Sequence, residues 1–156
     1  MIQIIDGDLL ESKADIICHQ VNCQGKMNSG VAKQIREKYP EVFQAYQSLC
    51  HIYSQCQHNL LGVYQIIETY DGKCIANLFG QLGYGYDGQQ YTDVQALKKA
   101  MIKLRQKYCL STKKMSIAMP YKIGCVRGGA DWDEVYAMIE EVFQDCDVEL
   151  WRLDKG

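Results

Sequence analysis

Ile16-Ile17-Cys18-His19-Gln20-Val21-Asn22-Cys23-Gln24-Gly25-Lys26-Met27-Asn28-Ser29-Gly30-Val31 changes character twice within one short stretch. From Ala14 to Val21 the chain is apolar almost throughout until His19-Gln20, the pattern of a strand covered on both faces. Asn22 to Gly30 is small and polar, with glycines at 25 and 30. Val31 to Lys38 then sets Val31 and Ile35 among Lys and Arg at helical spacing. A buried strand, a glycine-bearing loop and a helix in that order make the repeating unit of an α/β sheet.

The same alternation continues outward. Ile2 to Asp6 reads as a short apolar strand. Tyr39-Pro40 ends or kinks the first helix, and Pro40 suits the first turn of a second with Val42, Phe43, Tyr46 and Leu49 on one face. Leu60 to Glu68 and Lys73 to Leu78 read as strands joined by a turn at Asp71-Gly72. Thr92 or Asp93 can cap a helix through Tyr108, with Val94, Leu97, Met101 and Leu104 facing inward. Met115 to Met119 reads as a buried strand, and Asp131 can cap a helix to Phe143. Asp147 to Leu153 reads as the last strand.

The chain has 156 residues, enough for one substantial core and too few for two, so residues 1–156 are expected to form a single domain. At 47% hydrophobic and 23% charged residues it balances as a globular rather than a disordered chain. A net charge of −2 carries no basic excess of the kind that draws a nucleic acid or a membrane, and neither partner is expected. Met1 to Asp6 has neither the basic start nor the apolar core of a signal peptide, so the expected compartment is the cytoplasm. The eight cysteines are scattered without a CxxC pair, and several sit inside apolar runs, which favours reduced, buried thiols over a disulfide framework. Cys50, His51, Cys56 and His58 have zinc-ligand chemistry but not the spacing of a finger, so no metal is expected there. No cofactor is expected either.

Three loops are rich in small and polar residues where strand ends should meet helix starts: Asn22–Gly30, Gly80–Gly88 and Gly124–Gly129. Glycines admit a close backbone approach, and exposed N–H groups ahead of a helix bind anions. Neither a P-loop nor a GxGxxG fingerprint is present. Such loops also serve as plain turns. A bulky β-branched residue at Gly30 or Gly128 is expected to obstruct a diphosphate held between the first and third loops.

Together, Asp6-Gly7-Asp8-Leu9-Leu10, Val21-Asn22-Cys23-Gln24-Gly25-Lys26-Met27-Asn28-Ser29-Gly30-Val31-Ala32 and Pro120-Tyr121-Lys122-Ile123-Gly124-Cys125 resemble the macro domain family, as do Gly128-Gly129 and Asp131-Trp132. The resemblance implies an α/β fold, a three-layer α/β/α domain with a mixed sheet of about six strands, and a cleft for ADP-ribose. On it, Asp8 takes the adenine amino group, Leu9 lines that pocket, and Asn22 lies near the distal ribose. Ser29, Gly30 and Val31 wrap the ribose and diphosphate, and Gly124, Cys125, Val126, Gly128 and Gly129 form the phosphate loop. Tyr84, like Phe79 and Tyr86, falls where the family often sets a ring.

The chain departs from the family where catalysis is carried. One hydrolase branch has a carboxylate just beyond the third loop's glycine, where Val126-Arg127 stands here. It also has a lysine after the strand matching Ile75–Leu78, where Phe79-Gly80-Gln81 stands. A second branch has an aspartate after the first glycine loop, and Ala32 follows Val31 here. Asn22 and His19 remain as catalytic candidates, His19 because its ordinary pKa suits proton transfer near neutrality. Asp87 could also approach the ribose. A third route lets the ligand's own diphosphate orient the water. The expected function is binding of ADP-ribose with hydrolysis of a substituent on its distal ribose, a protein side chain or a phosphate; the alternative is a non-catalytic ADP-ribose-binding module.

Overall fold

Six strands form one sheet in the order β1-β6-β5-β2-β4-β3 in the computed structural model, which describes residues 1–108 and 115–153. The strands are β1 (Ile2–Asp6), β2 (Ile16–Asn22), β3 (Tyr64–Glu68), β4 (Cys74–Gln81), β5 (Ser116–Pro120) and β6 (Asp147–Arg152). Only the β3–β4 pair is antiparallel, joined at Asp71-Gly72, where Gly72 takes φ 86°. The helices are α1 (Gly30–Lys38), α2 (Pro40–Ile52), α3 (Val94–Tyr108) and α4 (Trp132–Val142).

Alternation along the central strands builds two cores. Ile16 and Cys18 of β2, Ala76 and Leu78 of β4, Ile117 and Met119 of β5, and Val148 and Leu150 of β6 pack against α3 and α4. Ile17 and Val21, Ile75 and Phe79, and Ala118 face α1 and α2, where Ile35, Tyr39, Val42 and Tyr46 meet them. Helices thus cover both faces, and the α/β/α layering with a mixed sheet agrees with the expectation.

The element boundaries differ in instructive ways. The strand expected from Leu60 starts only at Tyr64, because Gln57–Leu60 closes into a 3-10 turn and Gly62 turns the chain at φ 85°. The strand expected to end at Leu78 runs on to Gln81, where an isolated bridge to Thr92 ties it down. Asp93 caps α3, its Oδ1 accepting from Ala96 N at 3.0 Å. Asp131 caps α4 through Glu134 N. Among the described residues seven cysteines are free thiols; Cys109 lies outside the described residues. No helix among them is long and apolar enough to cross a membrane.

The chain leaves β2 through α1 and α2 toward β3 and β4, and leaves β5 through α4 toward β6 on the other side. The adjacent ends of β2 and β5 therefore bound a crevice, the point where open α/β sheets accept ligands.

Candidate functional site

Two lobes open at that crevice, of about 400 and 530 Å³, and they share Gly30, Val31, Pro120, Tyr121, Lys122 and Val126 as their common wall. The first reaches down to His19, Asn22 and Ala32 and out to Tyr84 and Tyr86. The second runs toward the ends of β1 and β6, between Gly7, Leu9, Trp151 and Arg152. The shape suits one elongated ligand with two bulky ends.

Unpaired backbone donors lie along and beside this wall. Ser29 is the N-cap of α1, yet its side chain makes no capping bond, and the N–H groups of Gly30, Val31 and Ala32 find no acceptor in the protein. Gly30 sits at φ +59°, and a Cβ built there meets nothing within 4 Å. Opposite, the loop after β5 folds on itself through Cys125 N to Lys122 O, Gly129 N to Cys125 O and Ala130 N to Gly124 O. The N–H groups of Val126, Arg127 and Gly128 are left without a protein partner. Lys122 holds φ +63°, a left-handed conformation that a non-glycine residue adopts at a cost. A helix N-terminus with unpaired amides and a second loop with unpaired amides thus line one cleft, an arrangement whose chemistry suits an anion.

Charge agrees. No Asp or Glu lines either lobe, whereas Lys26, Lys122 and Arg127 line the first. Arg127 lies 4.6 Å over the Tyr86 ring, so the loops after β4 and β5 meet across the cleft mouth. Asp87 lies one residue outside, exposed, accepting from Tyr91 OH at 2.8 Å and Gln89 N at 3.2 Å. Those bonds hold its carboxyl below the usual carboxylate range.

Of the residues expected in the site, Asn22, Ser29, Gly30, Val31, Tyr84, Gly124, Val126, Gly128 and His19 line the first lobe, and Leu9 the second. Asp8 caps the 3-10 turn Leu9–Glu11, accepting from Leu10 N at 2.9 Å, between two residues that line the second lobe. Cys125 and Gly129 stand in the loop but do not line either lobe. Cys125 is pushed up to about 11, first by burial and then by Asp131, so it is a thiol at neutral pH rather than an activated thiolate. Phe79 is wholly buried under α2 and belongs to the core.

Asn22 latches its own loop. Its Oδ1 accepts from Gln24 N at 3.0 Å and more weakly from Lys26 N at 3.4 Å. Its Nδ2 donates to Lys26 O at 2.9 Å, which leaves one amide proton uncommitted. The Tyr46 hydroxyl lies 2.7 Å from both its carbonyl oxygen and its Oδ1. His19 is buried, with Nε2 2.5 Å from Asn77 Oδ1 and no partner at Nδ1. Burial lowers its pKa to about 4, against the opposing effect of the hydrogen bond to Asn77 Oδ1, so the ring is neutral near pH 7.

Sequence reading missed the residues that act from behind. Gln20 Nε2 donates to Gln81 Oε1 and to Thr92 Oγ1, each at 2.7 Å, and Thr92 in turn donates to Gly124 O. Trp151, whose ring would touch a Cβ at Gly7 at 3.0 Å, forms a wall of the second lobe. Lys26, Lys122 and Arg127 also line the cleft; their charge was visible in sequence, their convergence was not. Cys50 is buried while His51 and Cys56 are exposed, and no group of three or more metal-ligating side chains converges among the described residues.

The family model described as "Macro domain" matches residues 18–139. The DNA ADP-ribosyl glycohydrolase of Thermus aquaticus is 27% identical over 97% of this chain and 40% of its own length. The ADP-ribose glycohydrolase OARD1 of Homo sapiens is 27% identical over 96% of this chain and 88% of its own. The solved macrodomain of Mycobacterium tuberculosis DarG superposes with a TM-score of 0.77 at 26% identity, covering 99% of both chains. This chain spans less than half the length of the first curated relatives it matches.

Proposed function

The chain belongs to the macro domain family, and on that premise we propose that its cleft binds ADP-ribose and that the bound molecule loses a substituent from its distal ribose by hydrolysis. The adenosine end takes the lobe between Gly7, Leu9 and Trp151, and Asp8, which stands between Gly7 and Leu9 in the chain without lining the lobe itself, is proposed as the acceptor for the adenine amino group at its edge. The diphosphate lies along the shared wall, and the distal ribose takes the lobe over His19 and Asn22. One observation carries the reading: a carboxylate-free crevice on a chain of net charge −2, with unpaired amides on two opposed loops and three cations around them. That arrangement favours an anion in the middle of an elongated ligand.

Hydrolysis at the distal ribose adds water to its anomeric carbon and breaks the bond to the leaving group, through a centre that becomes positively charged. No carboxylate lines the lobe to balance that charge or take the water's proton. The ligand's diphosphate, folded beside the ribose, supplies both an anionic oxygen and an acceptor for the proton. The chain then contributes position and a fixed polar environment, which suffices for a sizeable rate enhancement. Asn22 offers its spare amide proton to a ribose hydroxyl.

A specific observation also supports the reading as a binding module: Asn22 is largely committed to its own loop. One experiment decides between the two. ADP-ribose is titrated by calorimetry, and the protein is then incubated with mono-ADP-ribosylated protein, ADP-ribosylated DNA and ADP-ribose 1″-phosphate. Binding with turnover of one substrate is the expected result and names the leaving group. Binding without turnover of any makes the chain a module, and no binding ends both readings.

A further inference from the structure

Three strands place a row of polar side chains side by side beneath α2. His19 of β2 pairs in register with Asn77 of β4, and Asn77 with Gln65 of β3. His19 and Asn77 are buried in a layer that is otherwise aliphatic and aromatic. Burying such a row is costly unless every member is satisfied. The row is satisfied with one exception.

Its polarity is set from the far end. The carbonyl of Ala45 in α2 can only accept, so Gln65 donates to it through Nε2, at 3.1 Å. Gln65 therefore turns Oε1 toward Asn77, whose Nδ2 donates to it at 3.1 Å. Asn77 in turn presents Oδ1 to His19, and a carbonyl oxygen can only accept. The proton of the neutral imidazole is thereby held on Nε2, and Nδ1 is left as a lone pair. That Nδ1 is the one atom of the row without a partner; it is buried, and His19, only 1% exposed, lies in the floor of the cleft beside Asn22, Lys26 and Ala32.

We propose that Asn77 and Gln65 are positioning residues that fix His19 as an Nε2-protonated neutral imidazole, whose Nδ1 accepts a hydrogen bond from a hydroxyl of the distal ribose. This rests on the ADP-ribose reading above. A main-chain carbonyl two side chains away from the ring decides which ring nitrogen the ligand meets. Burial keeps the ring uncharged at neutral pH, in agreement with the same role. His19 thus acts as a fixed acceptor that selects for an O–H donor, and it carries no proton with which to assist a leaving group.

The test uses the full chain labelled with 15N and long-range proton–nitrogen spectra of the His19 ring. In the free protein Nε2 is expected to be pyrrole-like and Nδ1 pyridine-like. ADP-ribose is expected to move the Nδ1 resonance, whereas ADP, which lacks the distal ribose, leaves it in place. Asn77→Leu removes the partner of Nε2 and is expected to mix the tautomers and weaken ADP-ribose about three- to tenfold, with ADP affinity unchanged. Gln65→Leu leaves Asn77 Oδ1 facing the ring and is the milder second variant, expected to give the same ADP-ribose-selective loss. A pyrrole-like Nδ1 in the free parent overturns the proposal, as does an Nδ1 resonance unmoved by bound ADP-ribose. Failure of the parent to bind ADP-ribose overturns the function reading itself, and the free-protein spectrum reports the tautomer independently of that result.

Discussion

The hydroxyl of Thr92 donates to the carbonyl oxygen of Gly124 at 2.7 Å, and with this bond the start of α3 holds the loop after β5 in place. The N–H groups of Tyr91 and Thr92 add to it, reaching Gly128 O at 2.7 and 3.0 Å. Two carbonyls of the loop are thereby drawn away from the cleft, and an anion there meets amides rather than oxygens. Replacing Thr92 by Val keeps the shape and removes the donor. ADP-ribose affinity is expected to fall about three- to tenfold, and Thr92→Ser to restore it. Calorimetry on the three proteins checks this, and equal affinity for all three would sink it.

Gly30 and Gly128 are expected to respond to substitution by different routes. From the sequence alone, substitutions at both are expected to obstruct the diphosphate. At Gly30 that stands as the proposal, since a Cβ there meets nothing within 4 Å. Gly30→Val should fold, with a backbone strain of about 1–2 kcal/mol, and lose ADP-ribose affinity at least tenfold. Gly128 is corrected: its Cβ would lie 1.9 Å from Thr92 Oγ1 and 2.5 Å from Gly124 O, inside the protein rather than over the ligand. Even Gly128→Ala is therefore expected to lower the melting temperature by several degrees, which a thermal melt without ligand reads directly.

Asp8 carries two separable duties. Its Oδ1 caps the Leu9–Glu11 turn, and the proposal gives it the adenine amino group as well. Asp8→Ala is expected to cost about 1 kcal/mol of stability through the cap. It should also cost about 1.5–3 kcal/mol of ADP-ribose binding through the charged acceptor. Asp8→Asn keeps a capping oxygen and loses the charge, so stability should recover while affinity stays reduced. Affinity within twofold of the parent for Asp8→Ala would remove the adenine assignment.

The depressed pKa of His19 has a consequence for stability. Unfolding returns the ring from about 4 to its ordinary 6.5. Between those values the unfolded chain binds the extra proton, so acid favours unfolding. The contribution is complete above pH 6.5 and is lost progressively as pH falls to 4, by up to about 3 kcal/mol. His19→Phe removes this titration. In denaturant melts across that window the stability of the parent relative to the variant should therefore fall as the pH drops. A constant gap between them would contradict the buried neutral ring.

Much of the architecture was legible in the residues themselves. The double-sided apolar runs of β2, β4 and β5 need cover on both faces, and the helical spacing of α1 to α4 supplies it. Asp131 and Pro40 marked helix starts because capping and a fixed φ act locally. The glycine loops, which the proposal makes an anion cradle, were legible as loops for the same reason: strand end, loop and helix start are contiguous in the chain. Where a strand begins was less so, since Gly62's turn depends on a bond from Gly62 N to Phe79 O, in a different strand.

What only the tertiary structure decided is every relation that crosses strands. No spacing announces that Gln65, Asn77 and His19 stand in one buried row, because register is set by packing of whole strands. Nor does it announce that Thr92, Gln20 and Gly124 meet behind the loop, or that Lys26, Lys122 and Arg127 gather on a cleft without carboxylates in a chain whose total charge is negative. Local chemistry follows the order of residues along the chain, whereas the direction of a hydrogen-bonded row and the sign of a cleft follow the neighbours that folding brings beside it.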